Sequence, residues 1–242
     1  MSYKLEICAN SIESALAAQK GGADRIELCD NMAEGGTTPS YGLIKRCIDL
    51  LNIPVFPIIR PRGGGFVYTD EEFEVMKEEI GICKALGCKG VVLGVLDTDS
   101  CVDMERCTEL ITLARPMEVT FHRAFDCSKD QREALEDIIS LGCERVLTSG
   151  GETSAYEGRD KIRRLVEQAD GRIIVMAGAG VNVANVVSVA KESRANELHS
   201  TAKVLKGEGG EFKIKSIISS EFYQTSSDLV EEMRKLLMKA SV

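Results

Sequence analysis

Apolar and polar positions along this chain follow two periods in alternation. Short runs rich in β-branched and apolar residues recur at Lys4–Cys8, Arg25–Cys29, Val55–Ile59, Gly90–Val95, Glu118–His122, Arg145–Ser149, Arg172–Ala177 and Glu197–His199. Each run is followed by a stretch with helical periodicity and start signals. Thr69-Asp-Glu-Glu72 has the form of a capping box, and Phe73, Met76, Ile80 and Cys83 then fall on one helical face. Ser128-Lys-Asp-Gln131 has the same form ahead of Leu135, Ile138 and Ile139. Asp103, Asn182 and Ser226 are expected to cap three further helices, and Gly87 and Gly142 to end two. Eight strand-then-helix units predict a parallel sheet. In 242 residues they predict one domain, residues 1–242, folded as a (β/α)8 TIM barrel. An open doubly wound sheet is the alternative, disfavoured by the lack of G-x-G-x-x-G after the first strand. The least regular stretch is Ala202–Thr225.

The period of two also says which residues point inward. Leu5, Ile7, Ile26, Leu28, Val119, Phe121 and Leu198 are apolar and are expected to face the helices. Their neighbours then face the barrel interior: Glu6 and Cys8, Arg25, Glu27 and Cys29, Glu118, Thr120 and His122, Glu197 and His199. Arg60 follows in the phase of Ile58. A purely structural barrel interior is layered with Val, Ile and Leu. Buried charge is costly unless paired, so Glu6, Arg25 and Glu27 are equally well explained as compensating ion pairs. Cys8, Cys29, Arg60, His122 and His199 lie instead at C-terminal strand ends, where barrel enzymes place their sites. The chain has only two histidines, and both fall there.

Composition narrows the partners. With 30 Lys+Arg against 38 Asp+Glu the net charge is −8, and no basic block is present, which argues against nucleic acid and anionic membrane surfaces. No apolar run approaches a membrane span, and the opening residues enter a strand pattern without a signal-peptide core. Nine cysteines, an odd number in a long chain, point to a reducing cytoplasm rather than a disulfide framework. Cys47, Cys83, Cys88, Cys107 and Cys143 read as small buried apolar residues. Cys101 and Cys127 fall in loops and have no assigned role.

Two chemistries compete for the expected mouth. Cys8 and Cys29 end adjacent strands about 4.8 Å apart. Thiolates there suit Cu(I), or Zn(II) with His122 or His199 added; a reversible disulfide is a third reading. A nearby Arg25 or Arg60 would lower a thiol pKa and favour metal. The second chemistry is anion binding. Arg60 and Arg62 stand in a glycine-rich turn, and Gly150-Gly151 and Gly178-Ala-Gly180 follow the sixth and seventh strands. Glycine loops near strands seven and eight often hold phosphate in such barrels, though they also simply make tight turns. His122-Arg123-Ala-Phe-Asp126 and Asp97 add further acids and bases.

The sequence resembles the CutC family, named for copper homeostasis. The resemblance is carried by Glu6-Ile-Cys8, Gly22-Ala-Asp-Arg-Ile-Glu-Leu-Cys29, Glu34-Gly-Gly-Thr-Thr-Pro-Ser40 and Pro57-Ile-Ile-Arg-Pro-Arg-Gly-Gly64. It continues through Gly94-Val-Leu-Asp97, Val119-Thr-Phe-His-Arg-Ala-Phe-Asp126, Val146-Leu-Thr-Ser-Gly150 and Met176-Ala-Gly-Ala-Gly-Val181, and weakens after Thr201. It implies a cytoplasmic (β/α)8 barrel, often a homo-oligomer, with a role in copper handling. Cys8 and Cys29 are then the implied Cu(I) thiolates, and Glu27, Arg60, His122 and His199 line a polar pocket. The other expectation is an enzyme acting on a small anionic or phosphorylated substrate. There Arg60, Arg62, Gly150, Gly151, Gly178 and Gly180 bind the anion, and His122 or Glu27 is the general base. No inward strand lysine supports Schiff-base chemistry.

Overall fold

A computed structural model describes residues 3–207 and 221–241. Eight parallel strands form the expected barrel: β1 (Lys4–Ala9), β2 (Arg25–Leu28), β3 (Val55–Pro57), β4 (Gly90–Leu93), β5 (Glu118–Phe121), β6 (Arg145–Thr148), β7 (Ile174–Ala177) and β8 (Glu197–Ser200). They pair in the order β3-β2-β1-β8-β7-β6-β5-β4. A parallel bridge between Ile58 and Val92 joins the two ends of that order, with Ile59 N donating to Val92 O at 2.7 Å. The open doubly wound alternative is thereby excluded.

The alternation of side chains divides the core in two. Leu5, Ile7, Ile26, Leu28, Val119, Phe121 and Leu198 pack outward into one continuous apolar layer under the helices. Inside lies a much smaller apolar cluster of Cys8, Cys29, Phe56, Ile58 and Val92, with Met32 packed against it. The interior also holds Leu147 and Met176 and a buried polar set that includes Glu6, Arg25, Glu27, Thr120, His122, Arg145, Glu197 and His199.

The helices form the outer ring: α1 (Ile12–Lys20), α2 (Tyr41–Leu50), α3 (Asp70–Ala85), α4 (Met104–Ala114), α5 (Gln131–Ser140), α6 (Arg159–Ala169), α7 (Val186–Ser193) and α8 (Ser227–Ala240). Thr69 and Glu72 make the expected capping box on α3, and Asp103 and Ser226 cap α4 and α8. Two caps differ from expectation. Helix α5 is capped by Asp130, which accepts from Arg132 N and Glu133 N, because Ser128 is used in the preceding 3-10 turn, donating to Phe125 O. Helix α7 begins at Val186, since Asn182 spends its side chain on Ala184 N in a separate turn.

The stretch Ala202–Thr225, expected to be the least regular, contains two strands among its described residues. Strands β9 (Lys203–Gly207) and β10 (Glu221–Thr225) pair antiparallel, and residues 208–220 lie outside the described residues. Thr225 ties this ribbon down: its N donates to Ser14 Oγ on α1 at 3.2 Å and its hydroxyl to Thr201 O at 3.1 Å. Among the described residues no helix is long and apolar enough to cross a membrane.

Candidate functional site

The barrel interior is built in two storeys. The lower storey is an ion-pair network. Arg25 donates from Nε to Glu6 and from Nη2 to Glu197 at 2.7 Å. Arg145 reaches Glu197 at 3.2 Å and Glu118 at 2.8 Å. Both guanidinium groups lie over the Phe56 ring, 5.1 and 5.5 Å from its centre. Burial alone would raise the Glu6 pKa, but Arg25 and His199 outweigh it and hold the carboxyl down at about 2.

The upper storey uses the next inward residue of the same strands. Register pairs Cys8 with Glu27 and Glu6 with His199. The Cys8 and Cys29 sulfurs are 3.2 Å apart, so the two expected thiols do meet. His199 Nδ1 lies 2.8 Å from Glu6 Oε1. Glu6 is ionised and can only accept, so Nδ1 carries the proton. The other ring nitrogen, Nε2, faces Glu27 Oε2 at 3.6 Å. Burial raises the Glu27 pKa; it opposes the imidazolium of His199, where Glu27 and Glu6 outweigh it and the pKa rises. The donor atoms of Cys8, Glu27 and His199 all lie within 4.8 Å of one another.

One expectation fails here. The Cys8 thiol is pushed well up, first by its contact with Cys29, then by burial and the Glu27 charge. No guanidinium relieves it: Arg25 is committed to Glu6 and Glu197, and Arg60 to backbone carbonyls.

Above these residues opens a cavity of about 400 Å³, whose lining includes Cys8, Glu27, Cys29, Met32, Arg60, Phe66, His122 and His199. His122 is buried against Phe66, with ring centres 5.0 Å apart. Gly94 leaves the space for its ring, since a Cβ there would collide with it. Its Nδ1 accepts from Ala124 N at 3.2 Å, while Nε2 has no partner. Burial, helped by the charge of Arg60, drops its pKa to about 3, so the ring is neutral. His122 does not belong to the Cys8–Glu27–His199 trio.

The anion-binding expectation divides residue by residue. Arg60 lines the cavity, but Nη1 donates to Glu34 O (2.8 Å) and Gly36 O (2.7 Å), and Nη2 to Gly64 O (2.6 Å). Arg62 lies outside the cavity lining and pairs with Glu72 at 2.6 Å. Gly150 N–H bonds Thr148 Oγ1, and Gly151 N–H bonds Asp126 Oδ1 at 3.1 Å. Asp126 also receives Ser149 N at 3.0 Å, Thr148 Oγ1 at 2.5 Å and Arg123 Nε at 2.7 Å. At the sixth loop the protein's own Asp126 carboxylate takes up the Ser149 and Gly151 N–H groups. Gly178 N–H is taken by Thr148 O, and its bare Cα makes room for Leu147 and His199. Gly180 lines the cavity. Asp97 turns back on its own loop, accepting from Asp99 N and Cys101 N.

All five cysteines read as packing residues are buried. Cys127 is exposed and lines the cavity rim; Cys101 is half-buried away from it. Sequence reasoning passed over Met32, at the start of a single 3-10 turn, and Phe66, on a loop, where no period marks an inward side chain. Met32 directly follows Asp30-Asn31 after Cys29, and that proximity was the available signal.

Residues 3–204 match the CutC family profile. The chain belongs to the CutC family. A human protein named copper homeostasis protein cutC homolog is 48% identical over 215 residues, covering 89% of this chain and 79% of its own length. A CutC family protein of Chromobacterium violaceum is 52% identical over 203 residues, covering 84% and 82%. The crystal structure of a putative copper homeostasis protein CutC from Streptococcus agalactiae superposes with a TM-score of 0.79 at 36% identity, covering 82% of this chain and 98% of that one. A thiamine phosphate pyrophosphorylase from Pyrococcus furiosus aligns at TM-score 0.63 and 17% identity, a likeness of barrel fold alone.

Proposed function

We propose that this CutC protein binds Cu(I) through Cys8 and Cys29 at the barrel mouth, as copper cargo in a reducing cytoplasm. The supporting observation is the 3.2 Å separation of the two sulfurs on neighbouring strands at the base of an open cavity. Two thiolates satisfy Cu(I), a soft ion content with low coordination number. The raised Cys8 pKa means that uptake releases protons, since the ion binds thiolate and not thiol. Met32, packed against the small apolar cluster that holds this pair, lines the same cavity with its thioether. The homo-oligomeric state that the family resemblance implies belongs to the same reading.

The test is a Cu(I) titration of the reduced protein against a chromogenic competitor. About one ion per chain is expected, lost in Cys8→Ser plus Cys29→Ser. Unchanged stoichiometry and affinity in the double variant would sink the reading.

A second reading keeps the pocket as an enzyme site for a small anionic substrate. It rests on Glu27, whose raised pKa suits a general base, within a cavity that also presents His122 and His199. A thermal-shift screen of sugar phosphates and organic acids checks it. A saturable shift removed by Glu27→Gln supports it; flat responses across the panel count against it.

A further inference from the structure

We infer that the same mouth holds a second kind of metal centre, a borderline divalent ion of the zinc class bound by Cys8 Sγ, the Glu27 carboxylate and His199 Nε2. The inference goes beyond the Cu(I) reading and shares only Cys8 with it.

Three observations carry it. First, the donors are already gathered, all within 4.8 Å of one another, in buried surroundings. Zinc bonds of about 2.0–2.3 Å set tetrahedral donor atoms roughly 3.3–3.7 Å apart. The Glu27 Oε2 to His199 Nε2 distance of 3.6 Å is such an edge.

Second, the histidine is prepared as a ligand. Glu6 accepts the Nδ1–H hydrogen bond at 2.8 Å, so Nε2 is the nitrogen turned toward Glu27, and it becomes a ligand once a metal ion displaces its proton. Ligand histidines in metalloproteins are held this way, with a carboxylate on the far nitrogen fixing tautomer and ring angle. Glu6 is itself clamped by Arg25, so the orienting group is rigid.

Third, the charges ask for a cation. Below, Glu6 and Glu197 are matched by Arg25 and Arg145. Glu27 has no ion pair with Lys or Arg among the described residues; the one ion pair found for it is with His199. A lone pair and a carboxylate oxygen facing each other repel unless a positive charge lies between them. A proton fills that place in part, and a divalent ion fills it better.

The donor set names the class of ion. A carboxylate and an imidazole beside one thiolate are not what Cu(I) selects, whereas nitrogen, oxygen and sulfur together suit zinc. Three protein ligands leave a fourth position, and the cavity of about 400 Å³ lies against all three residues. Such a position takes water or a small donor ligand, as in sites where zinc acts as a Lewis acid.

Zn(II) binding to the reduced full-length protein is measured by competition with a chromogenic chelator. About one zinc per chain is expected, and Cys29→Ser keeps it because Cys29 is outside the trio. Glu27→Gln and His199→Gln each lower zinc affinity by more than about 100-fold, and Glu6→Gln by about 10–100-fold. Far-UV circular dichroism shows that each variant has folded, and for Glu27→Gln, His199→Gln and Glu6→Gln retained Cu(I) uptake shows it independently. Equal zinc affinity in wild type and Glu27→Gln overturns the inference. So does loss of zinc in Cys29→Ser, which places the ion on the thiol pair. The two readings fail separately: Cu(I) uptake depends on Cys29 and not on Glu27 or His199, and zinc uptake the reverse.

Discussion

The lower and upper storeys of the barrel are made by the same strands, two residues apart, yet they differ in how their charges are met. Glu6, Arg25 and Glu197 lie in the lower storey, each with a partner of opposite charge. Cys8, Glu27 and His199 lie in the upper storey, where a thiol, a carboxylate and an imidazole converge without a fixed cation. Both storeys are costly to bury. The lower one recovers that cost within the fold, whereas in the upper one the only ion pair of Glu27 among the described residues is with His199. Buried polarity is therefore not in itself the mark of a site. The mark is buried polarity that the fold does not complete.

The strongest way to break this division is Arg25→Met. It strips Glu6 and Glu197 of their shared partner and is expected to lose about 3–5 kcal/mol in urea unfolding. Cys29→Ser, one storey up, is expected to lose less, about 1–2 kcal/mol, for a hydroxyl placed in the small apolar cluster. Equal losses in the two variants would erase the distinction.

The sixth loop supplies an intermediate case, an anion site completed by the chain itself. Asp126→Ala removes the carboxylate that receives Ser149 N, Gly151 N and Arg123 Nε, at an expected loss of about 1–3 kcal/mol. The vacated cradle then binds inorganic sulfate. Sulfate is expected to raise the melting temperature of the variant more than that of wild type at matched ionic strength, and identical responses would refute the cradle.

The smallest effect sharpens the comparison by pH. His122 is held neutral, its pKa dropped from 6.5 to about 3 by burial. The unfolded chain therefore binds more protons than the folded one between those values. The contribution of His122 is full above pH 6.5 and is lost as pH falls toward 3. Glu6, lowered from 4.5 to about 2, acts in the same sense over a more acid window. Comparing wild type with His122→Gln isolates the histidine. The variant's stability should fall less on acidification from pH 6.5, by on the order of 1–3 kcal/mol, and parallel curves would show a ring that is not buried neutral.

Much of this was legible in the sequence, for identifiable reasons. Alternation placed Glu6, Cys8, Glu27 and His199 inside because their strand neighbours Leu5, Ile7, Ile26, Leu28 and Leu198 are unambiguously apolar. The meeting of Cys8 and Cys29 followed from strand adjacency. What escaped were contacts that side chains make over long chain separations in loops. Nothing near Gly151 says that Asp126, on a 3-10 turn after β5, will accept its N–H. Nothing near Arg62 shows that Glu72 will hold it aside. The capping box at Ser128 failed because Asp130, two residues on, offers a better-placed carboxylate. The β9–β10 ribbon escaped because its two strands are short and lie thirteen residues apart in sequence.

Arg60 has a consequence for the thermodynamics of whatever enters the mouth. Its guanidinium fastens the loop after β2, at Glu34 and Gly36, to the loop after β3, at Gly64, and lies over Phe66, 5.1 Å from the ring centre. Two loops are thereby set before any ligand arrives. Binding against this wall forfeits little chain entropy, so the affinity of a small occupant is spent on contact rather than on ordering the protein. Cutting that clasp would leave the donor atoms in place and still weaken capture, because the wall would then have to be organised anew at each encounter.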